Sequence, residues 1–256
     1  MIFRLFHALT DPSSFWREVL RYGFLAKRKT PQDWFLFRHD VAKMCAMRRE
    51  PCGGPSKELV EEVFPDIYKV ESRVKLTRPN AYNLSWEEVV TISHLVCMTS
   101  PRTLFEFGTF DGRTTLHLAL NAPDDAIVYT IDKGKGEFDF GADTPFFKNI
   151  RIGECFLTSP VRNKIQMLTG DSKEFDLTQF KRSVDFVFID ADHSYDGVMH
   201  DTEKAFDMIR PGGVIVWHDY LVIEDVTKAI VDICKLKALK NLKGTSLVTW
   251  QMPSTP

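Results

Sequence analysis

Leu104-Phe105-Glu106-Phe107-Gly108-Thr109-Phe110-Asp111-Gly112 joins an apolar run to a pair of glycines. Such a run reads as a buried strand. Glycines just past its end let the backbone turn sharply and approach a ligand with no side chain in the way. Working outward, Ser85 is a plausible N-cap for a helix with Glu87 and Glu88 in its first turn, and Val89, Ile92, Leu95 and Val96 recur at helical spacing until Ser100-Pro101. Downstream, the pattern predicts strands at Thr103 to Phe107, Ala126 to Ile131, Lys164 to Leu168, Val184 to Ile189, Val214 to Trp217 and Ser246 to Gln251. Helices are expected from Thr114 to Asn121, from about Gly197 to Ile209 and from Val226 to Leu236. This alternation predicts an α/β protein with a doubly wound, mostly parallel sheet carrying helices on both faces.

Bulk composition narrows the partners. Of 256 residues, 44% are hydrophobic and 27% charged, enough to bury one sizeable core. Lysine and arginine total 33 against 35 acidic residues, so no global field draws the chain to nucleic acid or an acidic membrane. An Asn/Asp-Pro-Pro-Tyr motif is also absent, which argues against nucleic-acid substrates. Cys45, Cys52, Cys97, Cys155 and Cys234 lie far apart without a C-x-x-C pair, against a zinc site or disulfide framework. Met1 to His7 is interrupted by Arg4 and His7, and no run reaches the roughly 18 apolar residues of a membrane span. A cytoplasmic protein without a membrane partner is the expectation.

Two parts are expected. Residues 1–83, cut up by Pro12, Pro31, Pro51, Pro55, Pro65 and Pro79, read as a helical and irregular extension, a lid or an oligomerisation element. Its Trp16, Trp34, Phe35 and Phe37 are expected to cover the main domain, or to form a self-association surface in a homo-oligomer. Residues 84–256 form the ligand-binding domain. Its long connection, residues 133–163, is a candidate cover for the active site.

Glu106-x-Gly108-x-x-x-Gly112 departs from the dinucleotide spacing G-x-G-x-x-G, which weakens an NAD oxidoreductase reading. An acid before the first glycine suits a ligand with cations better than a pyrophosphate. S-adenosylmethionine carries a sulfonium and an ammonium. Asp132 ends the next strand, about 20 residues past the glycines, where a ribose diol would bond a carboxylate. Asp171 and Ser172 end a third, within reach of an adenine. Any one of these acids is ordinarily a loop residue or a cap. Three on successive strand ends mark the rim where open α/β sheets bind ligands.

Ile189-Asp190-Ala191-Asp192-His193-Ser194-Tyr195 and Trp217-His218-Asp219-Tyr220 bring acids and imidazoles to two adjoining strand ends. Oxygen and imidazole donors suit magnesium, manganese or another first-row divalent ion. His193, with an ordinary pKa of about 6.5, is matched to taking a proton from a hydroxyl near neutral pH. In the competing structural reading Asp192 caps a turn, His193 bonds a carbonyl and His218 is packed in the core.

Over about residues 84 to 252 these motifs resemble the class I S-adenosylmethionine-dependent methyltransferases. The stretch from Ile189 to Tyr195, Pro211-Gly212-Gly213 and Trp217 to Tyr220 resemble the small-molecule O-methyltransferase branch. That branch includes macrolide-sugar O-methyltransferases and cephalosporin hydroxylase-like proteins, with catechol and caffeoyl-CoA O-methyltransferases more distant. The resemblance implies a Rossmann-like seven-stranded sheet. It implies cofactor contacts from Glu106, Phe107, Gly108, Thr109, Gly112, Thr114, Asp132, Asp171, Ser172 and Asp190, a metal on Asp190, His218 and Asp219, and catalysis by Asp190 with His193 as base. His218 departs from the branch, which usually carries an acid there. The function implied is metal-assisted O-methylation of a small-molecule or sugar hydroxyl. Metal-independent N- or O-methylation and a non-catalytic donor-binding accessory protein are the alternatives.

Overall fold

The computed structural model describes residues 51–78, 82–134 and 150–254, together with Val41 and Cys45. The aromatics expected to cover the domain, and residues 135–149 of the long connection, lie outside the described residues.

Eight strands form one sheet: β1 Ser56–Glu58, β2 Thr103–Phe107, β3 Ile127–Asp132, β4 Ile165–Thr169, β5 Val184–Ile189, β6 Ile209–Trp217, β7 Lys240–Leu242 and β8 Val248–Gln251. Their spatial order is β1-β7-β8-β6-β5-β2-β3-β4. The run β6-β5-β2-β3-β4 is parallel throughout, and only β8 pairs antiparallel, with β6 and β7. The mostly parallel, Rossmann-like sheet therefore stands, with one strand more than the seven expected.

The extra strand comes from the stretch assigned to the extension. Ser56, Lys57 and Glu58 pair with Lys240, Asn241 and Leu242 at the sheet edge, and Lys240 forms an ion pair with Glu58. The same stretch continues against the domain, where Arg73 N–H donates to Asn121 Oδ1 at 2.7 Å and Lys75 N–H to His117 Nε2 at 3.2 Å. A boundary at residue 83 thus cuts through elements that pack together.

Four helices of more than one turn flank the sheet among the described residues: α1 Trp86–Thr99, α2 Arg113–Asn121, α3 Tyr195–Met208 and α4 Glu224–Cys234. α1 starts at a capping box, in which Ser85 Oγ accepts from Glu88 N–H and Glu88 Oε2 from Ser85 N–H. It stops at Ser100, which is left-handed at φ 49°. Strand alternation sorts the core into two layers. Leu104, Phe186, Phe188, Val214 and Val216 pack beneath α1 and α2 with Ile92, Leu95 and Leu116. Phe105, Phe107, Val187, Ile215 and Trp217 pack against α3 and α4 with Ala205 and Ile230. A sheet covered on both faces has only its strand ends open to a ligand.

Arg210 to Gly213 is not a separate turn before β6. It lies within the strand, where the register against β5 slips between Val184 and Phe186. Gly212 absorbs the distortion at φ 82°.

Candidate active site

A cavity of about 770 Å³ opens at the carboxyl ends of β2 to β6, within the usual size of small-molecule sites. Gly108 forms its floor. With φ at 94°, this residue brings the end of β2 so near β5 that an added Cβ would stand 2.1 Å from the Asp190 carbonyl oxygen. Gly108→Ala is therefore expected to cost several kcal/mol of stability and to abolish ligand binding, checked by chemical denaturation and calorimetry. A variant with wild-type stability would show that β2 and β5 separate easily.

Asp132 lies on the wall with its carboxylate pinned, Oδ2 accepting from the Thr109 and Phe110 N–H groups at 3.0 and 2.9 Å. The loop after β2 and the end of β3 thus hold each other in place. Asp171 accepts from Lys173 N–H at 2.9 Å and pairs with Lys133 at 3.2 Å. The backbone bond, with lesser help from Lys133, holds its carboxyl below the ordinary range. Ser172 donates its hydroxyl to the buried Asp201 at 2.6 Å. Gly108, Thr109, Thr114, Asp132, Asp171, Ser172 and Asp190 all line the cavity.

Three expected residues stand apart from it. Glu106 is fully buried under the loop, its Oε2 accepting from the hydroxyls of Thr115 and of Thr130, the latter at 2.6 Å. It lies off the cavity wall, and burial raises its carboxyl to about 8 even though both threonine bonds pull downward. Phe107 is core, 4.9 Å from Phe105 between ring centroids. Gly112 is the left-handed N-cap of α2, where a Cβ would stand 2.5 Å from the Phe156 ring. Its contribution is to shape the loop.

The imidazoles also change places relative to expectation. Asp190, His193 and Asp219 each offer one atom to a cluster within 4.8 Å, small enough for one metal ion. His193 Nε2 lies 3.4 Å from Asp190 Oδ1 and 3.2 Å from Asp219 Oδ2. Burial pushes His193 toward neutrality, but its bonds to the two aspartates outweigh that and raise it to about 10. The two aspartates thus favour the protonated imidazole, which works against a role as base.

His218 sits behind the cluster, 3% exposed and off the cavity wall, so it is not placed to complete an Asp190-Asp219 ligand set from the open side. Its Nδ1 lies 3.1 Å from Asp190 and 3.3 Å from Asp219, and its Nε2 3.5 Å from Glu88. Burial lowers its pKa, while Asp219, Asp190 and Glu88 together raise it well above the ordinary value. Glu88 is itself fixed, taking both the N–H and the hydroxyl of Ser246 on Oε1. Two carboxylate oxygens and one exposed imidazole are a donor set that fits magnesium or manganese.

Several cavity residues were not among the expected site residues. Asn83 and Asp111 are nearly buried and joined at 2.7 Å. Asp192 accepts from Ser194 N–H, as a cap would, but also lines the cavity and pairs with Lys173 at 3.1 Å. Val222 and Ile223 add an apolar wall beyond Asp219.

The family model described as a methyltransferase domain matches residues 105–220, the stretch from β2 to the end of β6 that builds this cavity. That match covers less than half of the 256-residue chain. A caffeoyl-CoA O-methyltransferase from Populus kitakamiensis is 33% identical over 144 residues, covering 54% of this chain and 54% of that protein. Tapetum-specific methyltransferase 1 from Arabidopsis thaliana is 27% identical over 138 residues, covering 53% and 54%. The chain thus spans about half the length of the curated relatives it matches. The structure of the O-methyltransferase NovP superposes with a TM-score of 0.53 at 16% identity over 84% of this chain and 98% of that one, a likeness of fold. Among the described residues, no helix is long and apolar enough to cross a membrane.

Proposed function

We propose that the protein is an S-adenosylmethionine-dependent methyltransferase that methylates a hydroxyl of a small molecule with the help of a divalent cation. The observation that carries this reading is the single cavity onto which Asp132, Asp171 and Asp190 project from three parallel strands of the methyltransferase domain. Asp132 accepts from the ribose diol. Asp171 and Ser172 face the base, and Gly108 lets the nucleoside reach the backbone.

The reaction is an in-line displacement. The acceptor oxygen bonds to the methyl carbon as the carbon–sulfur bond breaks, that bond's electron pair returns to the sulfonium sulfur, and the hydroxyl proton passes to solvent water. Asp190, Asp219 and His193 would hold the cation, whose chemistry there is to neutralise the carboxylates and lower the pKa of the acceptor hydroxyl. His193 is proposed as a ligand, and His218 as the buried support that keeps both aspartates oriented. Val222 and Ile223 exclude water where the sulfonium loses its charge. Most of the remaining rate comes from holding oxygen and methyl in line.

A methyl-transfer assay over a panel of hydroxyl acceptors tests the reading. S-adenosylhomocysteine should form, disappear on chelation and return with magnesium or manganese. Activity that survives chelation would remove the cation from the mechanism. Donor binding without product from any acceptor would favour a binding module.

A further inference from the structure

Asp201, on α3, has no part in the chemistry above, yet it is an acid only 1% exposed. Its Oδ1 accepts from the Ser172 hydroxyl at 2.6 Å, and its Oδ2 has no hydrogen-bond partner among the described residues. His200 Nδ1 stands 3.6 Å from Oδ1, beyond hydrogen-bonding distance. A buried carboxyl held by one short bond costs stability that an apolar side chain of its size would not. Packing alone therefore does not account for an acid at this position. The one bond it makes goes to a residue of the cavity wall.

A hydroxyl has one hydrogen and two lone pairs. Asp201 takes the hydrogen, so Ser172 turns only lone pairs to the cavity that it lines. Such an oxygen accepts from an amino group and repels a carbonyl oxygen. The bond joins residues 29 positions apart, one in the loop after β4 and one on the helix after β5, so the fold sets the direction of the hydroxyl. We propose that Asp201 is a positioning residue for base selection: by fixing the Ser172 hydroxyl as an acceptor, it makes the cavity prefer a 6-aminopurine to a 6-oxopurine. This rests on the donor reading above and goes beyond it, because the discrimination is assigned to a residue that does not itself line the cavity.

Calorimetry with two ligands that differ at position 6 of the purine tests this. S-adenosylhomocysteine carries an amino group there, and S-inosylhomocysteine a carbonyl oxygen. The wild type should bind the first more tightly by about tenfold or more, the size of one unmet buried bond. Asp201→Leu, close in size and without an acceptor, frees the hydroxyl to turn its hydrogen toward the carbonyl. The preference should then fall to within about threefold through tighter binding of S-inosylhomocysteine, a gain that structural damage would not produce. Ser172→Ala should also lose the preference, in this case through weaker binding of S-adenosylhomocysteine. An unchanged preference in Asp201→Leu, or an equal loss for both ligands, would overturn the assignment. A preference that survives Ser172→Ala would overturn it too, so the test holds even where the leucine variant does not fold. A wild type that binds both ligands alike would sink this assignment and leave the donor reading standing, whereas one that binds neither would sink both.

Discussion

Asp190→Asn is expected to weaken Mn²⁺ binding and to lower kcat/KM by about a hundredfold or more each, and to lower unfolding free energy by about 3 kcal/mol because the buried His218 loses a charged partner. The reason lies in how β5 delivers this residue. Its N–H still donates to the Phe107 carbonyl at 2.9 Å, so the backbone is held as firmly as within the strand. Its carboxylate is placed between the two imidazoles, with Oδ1 3.4 Å from His193 and 3.1 Å from His218. Burial works against the Asp190 charge, but His218 and His193 more than compensate and hold its carboxyl below the ordinary range. Asparagine keeps the shape and removes the charge. A cation would then face one carboxylate and His193 where it now has two carboxylates and His193. Manganese titration followed by electron paramagnetic resonance reads the binding arm, and turnover at saturating donor reads the other. Wild-type Mn²⁺ affinity in the variant would place the cation elsewhere.

Glu106→Gln is expected to change how stability depends on pH. Glu106 titrates near 8 in the folded protein because burial disfavours its charge, against an ordinary value of 4.5. Between those two values the folded state keeps a proton that the unfolded state has released. Unfolding free energy therefore falls as pH rises from 4.5 to 8, by on the order of 5 kcal/mol from this one group, and levels off above 8. The glutamine variant cannot lose that proton. It should match the wild type near pH 5 and exceed it in stability at pH 8.5. Denaturation curves at both values check this, and the other titrating groups largely cancel in the comparison. Parallel profiles would show that Glu106 ionises freely where it stands.

Much of this arrangement is written in the pattern of residues, and its gaps have physical causes. β2, β3 and β5 are apolar runs bounded by polar tips, and the capping box at Ser85 and Glu88 announces α1. β1 and β7 have three residues each, too few for any alternation to show. Their pairing depends on edge contacts contributed by a distant part of the chain. The acids at positions 132, 171 and 190 are legible because strand tips in a parallel sheet point to a common rim.

The misplaced residues follow from strand parity. Glu106 shares a face with Leu104, so it points under α1 and α2 and away from the rim. His218 continues the sequence Val214, Val216 on that same face, and its N–H still donates to Ile189 as if the strand had not ended. Parity therefore sends its ring toward Glu88. His193 lies four residues past the end of β5, where alternation no longer binds it and the ring can turn to the open side. The bond between Asn83 and Asp111 joins residues 28 positions apart, a contact that no spacing pattern announces.

Isothermal titration of the purified protein with S-adenosylhomocysteine, with NADH as the control ligand, bears most directly on the donor site. Saturable one-to-one binding of the first, lost on Asp132→Ala, with no heat from NADH, is the expected result. Tight binding of NADH with no uptake of S-adenosylhomocysteine would contradict it.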